Sequence, residues 1–178
     1  NLLYKTEAII TKVENFKENH LRISVYSPEY GQKSLVVFGG KSKKKNSTYV
    51  KGSLNNIEFD NNNVCLSSTS INKFKWFLFS KYELKTIDYF CFLINKLLFL
   101  ADQNSNVISY YLLLITKLNE RSNYLPELLL LELEILKASG YQPDLNESVL
   151  KKIFNFHNKS NLKTYELLYE HLKDNKDH

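Results

Sequence analysis

The chain has 178 residues, a formal net charge of +5, 43% apolar residues and 24% charged ones. This is enough apolar material for a sizeable core in one large domain or two small ones, and it excludes a disordered chain. Its two cysteines, Cys65 and Cys91, lie beside apolar residues with no CxxC spacing, which excludes a cysteine-rich zinc module and predicts buried free thiols in a reducing cytoplasm.

Charge is unevenly placed. Residues 1–80 carry 12 Lys+Arg against 6 Asp+Glu, and residues 81–178 carry 12 against 13. A basic first part joined to a neutral second part points to a module that faces a polyanion, nucleic acid or an anionic membrane surface, beside one that does not. No leader of positive charge followed by an apolar stretch opens the sequence, so no secretory signal is expected. The longest apolar run, residues 87–101, is interrupted by Asp88, Asn95 and Lys96. It falls short of the ~20 apolar residues of a membrane span and reads as a buried helix.

Residues 2–13, rich in β-branched side chains towards Val13, predict a first strand. After the polar break at residues 14–19, Leu21, Ile23 and Val25 alternate with Arg22, Ser24 and Tyr26. This period of two is that of a half-buried strand with Arg22 and Tyr26 sharing its open face. The run Ser27-Pro28-Glu29-Tyr30-Gly31 is a turn by composition, and Lys33 to Gly39 follow as a third strand. Leu54 to Asp60 and Val64 to Ser68 form two more strands around an Asn61-Asn62-Asn63 turn.

Between the third and fourth strands lies Gly39 to Gly52, which places Lys41, Lys43, Lys44 and Lys45 within five residues. Mutual repulsion disfavours packing of such a loop unless an anion such as phosphate is present. Gly40-Lys41-Ser42 imitates the end of a P-loop, but the glycine required five positions earlier is Leu35, so a nucleotide-binding loop is excluded. Five short strands with a long basic loop match a small OB-type Greek-key barrel, and the count also suits an SH3-like barrel.

From Asn72 the period changes to that of helices. Apolar residues recur at helical spacing over Ile87–Leu100, Val107–Leu118 and Leu128–Ala138, the last ending at Gly140 and Pro143 as a capped helix should. Two shorter amphipathic segments, Ser148–Phe156 and Leu162–Leu172, close the bundle. The expected organisation is therefore α+β, a five-stranded barrel over residues 1–71 and an all-α bundle over residues 72–178. His157, His171 and His178 sit in polar surroundings without metal-ligand spacing and read as surface residues. Glu132 and Glu134, two apart, fall on different sides of a helix and form no catalytic pair.

Three stretches together resemble the bacterial recombination mediator family RecO: Thr6-Glu7-Ala8-Ile9-Ile10 followed by Tyr26 to Gly31, the glycine-led basic loop Gly39 to Gly52, and Leu131 to Leu145 with its Gly140-Tyr141-Gln142-Pro143-Asp144-Leu145 end. Asn161 to Leu172 is similar to the family's last helix. The resemblance implies an OB domain that binds single- and double-stranded DNA, annealing of complementary strands, and a helical domain. It also implies two partners: RecR, with which such proteins load RecA, and the C-terminal tail of single-stranded-DNA-binding protein. Many members carry a four-cysteine zinc element after the position of Leu145, where this chain has Asn146-Glu147-Ser148. No metal or other cofactor is expected, and no enzymatic activity.

On the residues themselves, the expected phosphate contacts are Arg22, Lys33, Lys41, Lys43, Lys44, Lys45 and Lys51, with Tyr26 and Tyr49 as base stackers. The competing reading, from another class, is a non-enzymatic scaffold whose helical domain docks a partner.

Overall fold

The computed structural model describes residues 2–42, 45, 48–71, 75, 78–139 and 147–160. Five strands come first: β1 (Leu3–Phe16), β2 (His20–Ser27), β3 (Gly31–Val37), β4 (Leu54–Asp60) and β5 (Cys65–Ser70). They form one antiparallel sheet in the order β3-β2-β1-β4-β5. β1 is 14 residues long and holds the centre by pairing with β4 through its first half and with β2 through its second. One parallel bridge, Val36 with Val64, touches the two edges of the sheet together, with Val36 N donating to Asn63 O at 3.0 Å.

Strand alternation divides the sheet residues between two cores. Ala8, Ile10, Ile23, Val25, Leu35, Val37, Ile57 and Phe59 pack together on one side of the sheet. Ile9, Tyr26 and Leu54 point the other way and join the helices. A register shift between Ile10 and Lys12 inserts an extra residue into β1. Such a bulge lets the consecutive residues Ile9, Ile10 and Thr11 all be buried, some inward and some against the helices.

Four helices are described: α1 (Lys81–Leu97), α2 (Val107–Asn119), α3 (Leu125–Ala138) and α4 (Glu147–Ser160). At the start of α1, Ser80 N donates to Glu83 Oε2 at 3.1 Å, which satisfies a backbone group that the helix leaves without a partner. Phe90, Ile94, Tyr111, Leu114, Leu131 and Ile135 build the interhelical core that receives Ile9, Tyr26 and Leu54. The seam is also polar. Asn95 on α1 accepts from Gln32 Nε2 (2.7 Å), lies 2.6 Å from Thr11 Oγ1, and donates through Nδ2 to Thr11 O (3.3 Å).

The expected helix over residues 87–100 runs instead from Lys81 to Leu97. Phe99 leaves it because its carbonyl accepts from Gln32 N on the free edge of β3 (3.1 Å), and Asp102 N then donates to Pro28 O (2.8 Å). Sheet pairing takes these residues from the helix. Helix α3 ends with Ser139 N donating to Ile135 O; Gly140, Pro143 and the expected helix Leu162–Leu172 lie outside the described residues. Both cysteines are free and buried, and burial pushes the Cys91 thiol up to about 12.

Candidate nucleic-acid interface

The outer face of β1, β2 and β3 is split. At one end the helices cover it through Ile9 and Tyr26; at the other end it is open. There the register sets Phe16 beside His20 and Arg22 beside both Glu14 and Val36. The alternation that exposes Arg22 brings His20 and Phe38 to the same face, since Leu21 pairs with Val37. Phe16 at the end of β1, His20 at the start of β2 and Phe38 just after β3 thus form a row of rings. His20 and Phe38 meet edge to face at 5.0 Å, and the Arg22 guanidinium lies 4.3 Å from the Phe16 centroid with Lys17 Nζ at 5.3 Å. Cations over ring faces hold their charge in place without neutralising it.

The basic loop leans on this end. Lys41 Nζ donates to Lys17 O (3.2 Å) and Glu18 O (3.1 Å), which pins the loop to the β1–β2 turn. Lys45 Nζ donates to Phe38 O at 3.0 Å. These partners are carbonyls, which carry only a dipole and so supply no counter-charge to either lysine. Nearby, Glu14 is paired with Lys12 at 2.7 Å, which reduces its repulsion of an incoming anion. Lys43 and Lys44 lie outside the described residues.

Four expected contacts stand elsewhere. Tyr26 does share the face of Arg22, but it is only 1% exposed because the helices cover that end. Tyr49 is 7% exposed, inside the sheet's own core, with its hydroxyl 3.7 Å from Cys65 Sγ. Burial raises the pKa of both hydroxyls, and neither ring can reach a base without leaving its core. Lys33 pairs with Val25 and follows the alternation of Leu35 and Val37, so it is not brought to the ring row. Lys51 forms an ion pair with Asp88 of α1 at 2.9 Å, at the seam between sheet and helices. Arg22, Lys41 and Lys45 are brought together; Phe16, Lys17, His20 and Phe38 join them, and the sequence reading missed all four. Their signal was the short turn at residues 17–19, which makes Phe16 and His20 neighbours, and Gly39, which ends the strand reading beside Phe38; β3 in fact stops at Val37.

The helical part holds a second polar arrangement. His157, expected at the surface, is 1% exposed and its Nε2 lies 2.5 Å from Glu132 Oε2, which also accepts from Tyr89 OH at 2.7 Å. Burial raises the Glu132 pKa, while the hydrogen bond and charge of His157 and the bond from Tyr89 oppose that rise. Glu132 Oε1 is buried with no hydrogen-bond partner among the described residues. Glu134 turns to another neighbour, accepting from Asn106 N at the start of α2 (2.8 Å). Beside Tyr89, a cavity of about 670 Å³ opens between α1, the α2–α3 connection and α4, lined among others by Tyr82, Lys85, Tyr124, Lys152 and Phe156. Among the described residues no group of three His, Cys, Asp or Glu is placed to hold a metal ion.

The open end of the sheet can therefore bind a polyanion that also offers flat apolar rings. Residues 2–69 match the family model described as Recombination protein O N terminal. No curated protein matches the chain.

Proposed function

We propose that the chain, whose residues 2–69 match the model described as Recombination protein O N terminal, is a member of that family and a DNA-binding recombination mediator acting in DNA repair. It binds single- and double-stranded DNA, brings complementary strands together for annealing, and works in the cytoplasm with RecR to load RecA. In this reading the sheet is an OB-type barrel, which the single Val36–Val64 bridge between its two edges supports. The observation that carries this reading is the gathering of Arg22, Lys17, Lys41 and Lys45 around the β1–β2 turn. The faces of strands 2 and 3 and the loop between strands 1 and 2 are where OB folds take oligonucleotides.

Annealing by such a surface involves no bond chemistry. Cations that neutralise phosphates on two strands lower the strands' repulsion and raise the local concentration of one near the other. Among the described residues no helix is long and apolar enough to cross a membrane. The aromatic cavity of the helical part, with Lys85 and Lys152 at its lining, is where the acidic tail of single-stranded-DNA-binding protein docks. That cavity is also the observation favouring a scaffold as the second reading, in which docking is the whole activity.

Fluorescence anisotropy of a labelled oligonucleotide, titrated at several salt concentrations, separates the two. The mediator reading expects affinity that falls linearly in log salt. It also expects weaker binding and a shallower slope when Lys41, Lys43, Lys44 and Lys45 are changed to Ala, by about 0.7 in slope for each single-strand phosphate that is no longer neutralised. Absence of binding at about 0.15 M salt leaves the scaffold.

A further inference from the structure

We propose that Phe38, braced by His20, is a stacking platform for the bases of single-stranded DNA, and that it lets this surface distinguish a single strand from a duplex. The inference rests on the DNA-binding reading and names the chemistry of one position within it.

Phe38 is 53% exposed although it directly follows β3, whose Leu35 and Val37 are buried. It belongs to neither core. Its backbone is nevertheless gripped on both sides. His20 Nδ1 accepts from Gly39 N at 3.0 Å, which fixes the imidazole and places that ring edge to face with Phe38. On the other side Lys45 Nζ donates to the Phe38 carbonyl. Gly39 then takes a φ of +65°, a left-handed turn that L side chains avoid. A large apolar ring held in place and half open to water lowers the free energy of a ligand that covers it, because little conformational entropy remains to be lost.

The surroundings select the ligand. Arg22, Lys17, Lys41 and Lys45 lie on the same open end and suit a chain of phosphates. An apolar peptide would gain nothing from those charges, and an acidic peptide would leave the ring row unused. A single strand supplies both parts, a charged backbone and unpaired π-faces. In a duplex the bases are already stacked on one another, so only the phosphates are offered.

The test uses the full chain and four probes: a labelled single strand, the matching duplex, an abasic strand of equal length, and a single strand carrying a photoreactive halogenated pyrimidine. Changing Phe38→Ala is expected to weaken single-strand binding roughly 5- to 150-fold. The salt slope, the duplex affinity and the affinity for the abasic strand are expected to stay as in the native protein. Phe38→Trp restores binding, and photocrosslinks fall on Phe38. If the native protein binds with a steep salt slope but Phe38→Ala binds the single strand equally well, the platform is wrong and the DNA-binding reading stands. Equal weakening for single strand, duplex and abasic strand also overturns the platform, since the ring would then only support the loop. If the native protein binds none of the probes, both inferences fall together.

Discussion

Glu132, on α3, is a carboxyl group removed from water and hydrogen-bonded to partners from two other helices, Tyr89 on α1 and His157 on α4. Removing it with Glu132→Ala leaves a buried imidazole and a buried phenol without their acceptor, and a cost of about 3 kcal/mol or more is expected in urea unfolding. Its raised pKa sets a sign for pH as well. The folded state holds a proton that the unfolded chain has already released, so stability falls as pH rises from the ordinary carboxylate range through the raised value. Glu132→Gln should flatten that part of the stability profile. None of this was legible locally: His157 lies 25 residues from Glu132, amid polar neighbours that make a surface histidine. Tyr26 and Tyr49 teach the same lesson from the other side, since a tyrosine on an alternating strand reads the same whether solvent or another element covers it.

At the scale of elements, periodicity carried the reading far. Five strands and four helices fall where periods of two and 3.6 placed them, because both periods record which side of an element meets a core. Ends are where it failed, as at α1, whose last expected turn is taken over by the edge of β3. The β2–β3 turn decides that edge. Gly31 has a φ of +72°, and a Cβ there would lie 2.5 Å from the Phe99 carbonyl oxygen. Gly31→Ala should therefore be destabilising by about 2 kcal/mol or more, from backbone strain together with displacement of Phe99. A lowered urea midpoint with an unchanged m-value would bear this out, whereas an unchanged midpoint would mean that the 99–101 segment moves aside freely.

Across the whole molecule, sheet and helices share one apolar core at the Ile9, Tyr26 and Leu54 end, with Asn95 as its polar clasp. Asn95→Ala strips partners from Thr11 and Gln32 at once and should cost about 1–3 kcal/mol. It should also loosen the coupling of the two parts. In the native protein the slowest amides of β2 and of α2 are expected to exchange with the same free energy; in the variant these values should separate. Identical exchange in both proteins would mean that the apolar contacts alone couple them. The covered end of the sheet is what leaves the opposite end, with Phe38 and its cations, as the open surface.

The sequence by itself determined the order of strands and helices, the two buried thiols, the basic loop and the resemblance that the N-terminal match bears out, since each is written in local period, composition or motif. Only the tertiary structure decided which half of the outer sheet face stays open, that Tyr26 and Tyr49 are core, that Lys51 serves the seam, and that Phe16, His20 and Phe38 stand in one row. Those outcomes depend on register and on what packs against a face, and both are set by contacts between residues far apart in the chain.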